Sequence, residues 1–257
     1  MSAAAAFVLL AMAGCGHRHK QNVPPATATA PPLEEQPSAE SAAPPVESGR
    51  LGRIPITPVP PHGISAADIH YVNTHEPILT QVGYATWYTA PYRGRKAANG
   101  EVFRDDALTA AHRTLPMGSL IVVTNLKTGQ WSAMRITDRG PFVEGRIVDL
   151  TIASAKATGV YRAGLARVRV DVYETPKPID EGGRWCVQIG AFHSQRMALR
   201  LKAQLQRRYP HASVIEFPGE DSYWVRIRPE NDNREKAELI AQRLHPAEGE
   251  AFLTRLD

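Results

Sequence analysis

Three polar motifs in the middle of the chain carry side chains that could transfer protons. They are Asn99-Gly100-Glu101, His112, and the run Thr137-Asp138-Arg139-Gly140-Pro141-Phe142. A carboxyl group or an imidazole acts as a general acid or base when its pKa lies near the working pH. Because a neighbouring arginine lowers the pKa of a carboxyl group, an acid role for Asp138 requires burial or a second carboxylate nearby.

Each motif also has a structural interpretation. Asp138-Arg139-Gly140-Pro141 could form a turn held by an internal ion pair, and His112 could satisfy backbone groups at a strand end. Asn99-Gly100 is typical of a tight turn. For Asp149, we expect an internal ion pair or a capping role at a helix that starts near Thr151.

Other chemistries find little support in the sequence. The nine histidines show no ligand spacing with cysteine or carboxylate, so we predict no metal and no cofactor. No phosphate-binding loop or nucleophile elbow is present. Cys15 and Cys186 are far apart, and we interpret Cys186 as a small buried apolar residue. The net charge of +4 comes from scattered basic residues, which does not favour nucleic acid as a partner.

The elements that must position these residues are short. The central part alternates apolar runs with glycines, and we predict one helix there, capped by Thr151 and ended by Gly159. Many short strands with one helix indicate a small closed barrel. The predicted strands are Val82 to Tyr88, Ala107 to Ala111, Ser119 to Asn125, Trp131 to Thr137, Ile147 to Leu150 and Ala166 to Tyr173.

The C-terminal part follows a different order, strand, helix, strand, strand, helix, strand. This order predicts a ferredoxin-like four-stranded sheet with both helices on one face. The predicted elements are Arg184 to Phe192, Ser194 to Arg208, Ser213 to Phe217, Tyr223 to Arg228, Asn233 to Leu244 and Glu250 to Leu256.

The central motifs resemble the rare lipoprotein A (RlpA) family. The run Thr109 to Gly118, the run Thr137 to Phe142 and the run Gly145 to Leu150 occur in the family's order, with Ala98 to Glu101 upstream. The resemblance implies that residues 79–175 form a six-stranded double-psi β-barrel, a fold related to that of expansins. The family pattern is not kept at Ala98, Arg93 and Arg104. These departures bear on substrate preference and activity more than on the fold.

The resemblance also implies an activity, that of a peptidoglycan lytic transglycosylase. Such a lyase cleaves the bond from N-acetylmuramic acid to N-acetylglucosamine and leaves a 1,6-anhydro end. Asp138 matches the position of the acid, Glu101 matches an acid–base or pKa-tuning position, and His112 matches a position that orients groups or stabilises charge. The roles of Glu101 and His112 are interchangeable on the sequence alone.

Residues 183–257, after a linker at residues 176–182, resemble a SPOR (sporulation-related repeat) domain. The resemblance is carried by the run Trp185 to Phe192 and by Tyr223 to Ile227, and it implies binding to glycan strands without stem peptides. Strand alternation places four candidate glycan-binding residues on the sheet face away from the helices. They are Gln188, Phe192, Trp224 and Arg226. An RNA-recognition domain shares this strand order, but its signature is absent.

The N-terminus indicates export. Residues 1–14 have signal-peptide character although no basic residue precedes the apolar run, and Met12 to Cys15 resembles a lipobox in which Cys15 is lipidated. Eleven prolines lie between Pro24 and Pro61, so we predict that residues 15–78 form a disordered linker. Gly16 after the cysteine implies the outer membrane, if the cell is Gram-negative.

These expectations combine into one leading hypothesis. The chain would be a lipid-anchored envelope enzyme that cleaves glycan strands, directed by its SPOR domain to denuded glycan at the division septum, where septal proteins are possible partners. The alternative is a non-catalytic peptidoglycan-binding lipoprotein of the outer membrane, in which Asp138 holds a muropeptide without cleaving it.

Overall fold

A computed structural model describes residues 62–89, 93–217, 222–247 and 249–257. The predicted signal peptide, Cys15 and the proline-rich stretch from Pro24 to Pro61 lie outside these residues. No helix within the described ranges is long and apolar enough to cross a membrane.

Six strands close into a barrel in the central part, as predicted. Their order around the barrel is β1-β5-β2-β4-β3-β6, and the pairs β1 with β5 and β2 with β4 are parallel while the others are antiparallel. The strands are β1 (Leu79–Trp87), β2 (Thr109–Ala111), β3 (Leu120–Asn125), β4 (Trp131–Asp138), β5 (Arg146–Leu150) and β6 (Ala166–Glu174).

The barrel core follows the alternation seen in the sequence. On β6, Val168, Val170 and Val172 are fully buried and Arg167 is exposed. Branched side chains fill the interior, because a barrel of this size has room only for packed side chains. Leu120, Ile121, Met134 and Ile136 from β3 and β4 complete this core.

Two short helices connect β5 to β6. The predicted helix is α2 (Ile152–Ala157), and the hydroxyl of Thr151 accepts a hydrogen bond from the Ser154 amide, as expected for an N-cap. A second helix, α3 (Val160–Ala163), follows Gly159, whose φ of 71° lies in the left-handed region. The sequence analysis predicted only the first of the two.

One helix corrects the predicted linker. Residues 66–74, which we assigned to the disordered segment, form α1 (Ala66–Thr74), and Val72 packs in the barrel core. Ser65 and Asp68 form a capping box at its start, and Asp68 also pairs with Arg135 on β4. The prolines upstream suggested a linker, whereas this cap and the apolar contacts of Ile64, Ile69, Tyr71 and Val72 with the core favour a helix.

The C-terminal domain has the predicted order of elements. Its sheet runs β10-β7-β9-β8, and the helices pack on one face. The barrel and this domain lie in one compact unit, Arg50–Asp257. The elements are β7 (Trp185–Phe192), α4 (Gln195–Gln206), β8 (Ala212–Phe217), β9 (Ser222–Ile227), a 3-10 turn (Glu230–Asp232), α5 (Arg234–Arg243) and β10 (Glu250–Arg255).

Candidate active site

The candidate site lies where the parallel strand pairs of the barrel end. Ala111, the last residue of β2, pairs with Asp138 on β4 and with Asp149 on β5. Directly paired residues on neighbouring strands project to the same side of a sheet. Asp138 and Asp149 therefore lie at one edge of the barrel, two strand spacings apart, which places their Cα atoms about 10 Å from each other.

Asp138 is half-buried and is held by backbone amides. Its Oδ1 accepts hydrogen bonds from the amides of Arg139 at 2.8 Å and Ala98 at 3.0 Å. Burial raises the pKa of Asp138 above its usual value, although the two amides and the Arg139 charge oppose this effect. The burial that the sequence analysis required for an acid role is present.

Tyr88 is a site residue that the sequence analysis missed. It follows β1, and its hydroxyl lies 3.5 Å from Oδ2 of Asp138. Burial raises the pKa of Tyr88 well above its usual value, and the charges of Asp138 and Asp149 add to this effect. Tyr88 therefore stays protonated and can donate a hydrogen bond to Asp138. Its position at the end of a predicted strand was the available signal.

Asp149 forms the internal pair that we expected. Its Oδ1 accepts a hydrogen bond from the Arg146 guanidinium at 2.6 Å and another from the hydroxyl of Thr86. Thr151 caps the following helix, so Asp149 has no capping role there. The pair lies within β5, and the bond from Thr86 links the end of β5 to β1.

His112 lies next to Asp138 through the backbone and not through its ring. Its amide donates to the carbonyl of Asp138 at 3.1 Å. Its Nδ1 accepts hydrogen bonds from the amides of Thr114 and Leu115, so Nε2 carries the proton and donates to Gln81. Burial, with smaller contributions from two nearby arginines, lowers the pKa of His112 to about 3. A neutral, fully bonded imidazole positions a loop and cannot supply a proton at neutral pH.

Glu101 is exposed at the rim of the site. Its carboxylate accepts a hydrogen bond from the side-chain amide of Asn99 at 2.8 Å. The side-chain oxygen of Asn99 in turn accepts a hydrogen bond from the backbone amide of Glu101. This turn lies against β4, since the Asn99 amide donates to the carbonyl of Thr137 at 3.1 Å. Glu101 and Thr137 line a cavity of about 190 Å³, which brings Glu101 and the Asp138 strand to one groove.

Two of the three residues that depart from the family pattern, Arg93 and Arg104, form ion pairs. Arg93 contacts Asp105 at 2.5 Å, and Thr89 donates to the same carboxylate at 3.0 Å. Arg104 pairs with Asp106 at 2.8 Å. Asp105 therefore anchors the loop that follows β1 to the segment before β2.

The predicted glycan-binding face of the C-terminal domain needs one correction. Phe192 packs with Ile189 in the core under the helices, because one extra residue on β7 between them reverses the alternation. Gln188, Trp224 and Arg226 do lie on the opposite face, where Arg226 donates to Gln188 at 3.0 Å. That face is not open, since Gln188 and Trp224 are buried.

Cys186 is buried, as expected, and burial raises the pKa of its thiol to about 11. Within the described part of the chain, no three histidine, cysteine, aspartate or glutamate side chains are grouped so as to hold a metal ion.

Comparisons with known proteins match both domains. A family model described as lytic transglycolase matches residues 80–170, and the SPOR domain model matches residues 181–255. The endolytic peptidoglycan transglycosylase RlpA of Campylobacter jejuni is 32% identical over 186 residues, which cover 62% of this chain and 68% of that protein. The protein of the same name from Pseudomonas aeruginosa is 32% identical over 206 residues, or 76% and 60% of the two chains.

A third relative, the probable endolytic peptidoglycan transglycosylase RlpA of Synechocystis, is 42% identical over 127 residues, covering 48% of this chain and 38% of that protein. The matches thus span between 38% and 68% of the length of these three relatives. The match to more than two thirds of the Campylobacter protein, together with the two domain models, shows that the chain belongs to the RlpA family.

Proposed function

We propose that the chain is an endolytic lytic transglycosylase that cleaves the bond from N-acetylmuramic acid to N-acetylglucosamine in peptidoglycan. The observation that carries the proposal is the half-buried Asp138, whose pKa is raised by burial and which directly follows Thr137, a residue that lines the cavity. The names of the relatives and of the matching family model support the same reaction.

A single carboxyl group suffices for this chemistry. Protonated Asp138 would donate its proton to the glycosidic oxygen as the bond from that oxygen to C1 of the muramic acid breaks. The 6-hydroxyl of the same sugar then forms a bond to C1, and the carboxylate accepts the proton that this hydroxyl loses. The products are a free 4-hydroxyl and a 1,6-anhydro end, and no water is consumed.

The neighbouring residues would support this acid. Tyr88 is placed to hold Oδ2 of Asp138, and Glu101 is placed at the groove to tune charge or contact the sugar. His112, which holds the adjoining loop through its Nδ1, would act by positioning. Removing a positioning group should change the pH dependence of the rate more than it changes binding.

The remaining parts of the chain would determine where in the cell the enzyme is located. We propose that the C-terminal domain binds denuded glycan through Gln188, Trp224 and Arg226, which would concentrate the protein in the cell envelope at the division septum. Lipidation of Cys15 would anchor it to the outer membrane, and the proline-rich segment would extend it toward the wall.

The test is product analysis. The full chain and its Asp138→Asn variant are incubated with intact and with amidase-treated sacculi, and released material is analysed by mass spectrometry. Asp106→Asn is the matched control, because it also removes a barrel carboxylate, but one that is 63% exposed and paired with Arg104. We expect anhydro products from the wild type and the control, and none from Asp138→Asn.

One observation favours the alternative of a non-catalytic wall-binding protein. Oδ1 of Asp138 is already bonded to two backbone amides, an arrangement that also suits a purely structural carboxylate. If neither wild type nor variant releases products while both sediment with sacculi, the chain is a binding protein and the catalytic proposal is wrong.

A further inference from the structure

The face of the C-terminal sheet that points away from its helices carries a continuous row of side chains. Gln188 on β7 pairs with Phe252 on β10 and with Arg226 on β9. Trp224 stands two residues from Arg226, so it projects to the same face. This row of Phe252, Gln188, Arg226 and Trp224 is called the sheet face below.

The barrel covers the sheet face with the segment that follows Asp138. The Phe142 ring lies 4.9 Å from the Trp224 ring and 6.0 Å from the Phe252 ring, centroid to centroid. The Arg113 guanidinium stacks over Phe252 at 5.1 Å. The contact with the sheet face is therefore made by the segment that directly follows the proposed acid.

Hydrogen bonds hold the edge of this contact between the barrel and the C-terminal domain. The Arg139 guanidinium donates to the main-chain oxygen of Asp257 at 2.7 Å. The amide of Arg255 on β10 donates to the carbonyl of Arg113 at 3.0 Å. Arg113, which lies just after β2, and Arg139, which directly follows β4, are thus bonded to the last strand and the C-terminus.

The barrel leaves the polar groups of the sheet face incompletely satisfied. Gln188 is 0% exposed and Trp224 is 6% exposed. Gln188 Nε2 and Arg226 Nε are buried donors with no hydrogen-bond partner among the described residues. Buried donors in folded proteins almost always have partners, so an aromatic ring such as Phe142 is an imperfect occupant. A glycan would offer hydroxyl and carbonyl oxygens to these donors while its ring stacks on tryptophan.

We propose that the barrel masks the sheet face in cis, so that docking of Phe142 and binding of a glycan strand at this face exclude each other. The proposal rests on the proposed glycan-binding function of the C-terminal domain. A glycan strand that occupies the sheet face must displace residues 139–142 and break the contact between Arg139 and Asp257. Binding to denuded glycan would then free the segment next to Asp138.

The first test is the affinity of the full chain for amidase-treated sacculi, measured by sedimentation. When only a fraction of molecules is competent to bind, the apparent Kd exceeds the intrinsic Kd by the inverse of that fraction. Phe142→Ala should weaken the mask and tighten binding by about threefold or more. Val143→Ala is the matched control, because Val143 adjoins Phe142 but is 48% exposed, and it should bind as the wild type does.

The second test uses the unmodified chain. Hydrogen exchange of residues 139–142 and 250–255 is followed while soluble denuded glycan chains are added. Exchange of residues 139–142 should rise at saturation, because the segment leaves the sheet face. Unchanged exchange at saturation would overturn the proposal even if Phe142→Ala failed to fold.

A third variant separates this proposal from the glycan-binding function itself. Trp224→Ala should weaken sedimentation with amidase-treated sacculi, leaving only the binding that the barrel supplies. If Trp224→Ala binds like the wild type, the glycan site lies elsewhere and the proposed function of the sheet face is wrong. If Trp224→Ala weakens binding and Phe142→Ala binds no more tightly than the wild type, the face binds glycan but the barrel does not mask it.

Discussion

Replacing Asp138 by asparagine should abolish activity and at the same time stabilise the fold at neutral pH. The two amide hydrogen bonds to Oδ1, at 2.8 Å and 3.0 Å, can be kept by the asparagine oxygen. The substitution removes the charge, which burial disfavours, and replaces Oδ2 by an NH2 group that can donate to the Tyr88 hydroxyl oxygen. The loss of a general acid costs about 10²- to 10⁴-fold in rate.

The sign of the stability change follows from the pKa. Because the pKa of Asp138 is higher in the fold than in the unfolded chain, the protonated form is favoured on folding. Its contribution is fully present below the unfolded pKa, about 3.9, and is lost as the pH rises through the folded pKa. Asparagine cannot ionise, so the variant should exceed the wild type by about 0.5–2 kcal/mol at pH 7.5, the range of a typical stabilising substitution.

Urea unfolding of both proteins at pH 4 and at pH 7.5 measures this difference. The gain should be small at pH 4 and larger at pH 7.5, whereas Asp106→Asn should show no gain as the pH rises, because Arg104 lowers the pKa of Asp106 and the fold therefore favours its charged form. A variant that is less stable than the wild type at pH 7.5, or a difference that does not depend on pH, would refute a buried acid at position 138.

Substitutions at three further positions test the surroundings of the site and the cap of α1. Tyr88→Phe removes a donor that lowers the pKa of Asp138, so the alkaline limb of the rate profile should shift to higher pH. His112→Ala should destabilise the fold by about 1–3 kcal/mol, measured by thermal unfolding, since two buried amides lose their acceptor, whereas His112→Asn should recover part of this loss. Asp68→Ala removes the cap with Ser65 and should lower the free energy of unfolding by about 0.5–2 kcal/mol. Hydrogen bonds outweigh burial and lower the pKa of Asp68, so calorimetry should show a smaller loss at acid pH.

The sequence predicted most strands because short apolar runs, some of them alternating with polar residues, mark them. On β6 the three valines had to face one way, and on β9 Val225 and Ile227 had to face the helices. A local irregularity escapes this reasoning. One extra residue on β7 reversed the side of Phe192, and no pattern in the run from Trp185 marks that position.

The sequence indicated those site residues that belong to a recognisable motif. It missed the one that only the folded geometry brings to the site. The motifs indicated Asp138, His112 and Glu101 as candidates, and the ring of His112 forms a hydrogen bond with Gln81. Tyr88 joins Asp138 only because β1 and β4 end at the same edge of the barrel, a long-range fact of topology. The covering of the sheet face could not be predicted either, since it depends on how two domains pack.

The arginine beside Asp138 is the feature that most opposes an acid role, and the structure explains why the pKa still rises. The Arg139 guanidinium is directed away from the carboxylate, donating to the carbonyls of His112 and Leu115 at 3.0 Å and 2.7 Å and to Asp257. Those carbonyls belong to the loop that the imidazole of His112 holds in place. Burial of Asp138 therefore outweighs the attraction of Arg139, and the same guanidinium ties the segment after the acid to the C-terminal domain. The imidazole, the arginine and the C-terminus thus act on Asp138 through one chain of contacts, so the domain that would bind glycan is also connected to the group that would cleave it.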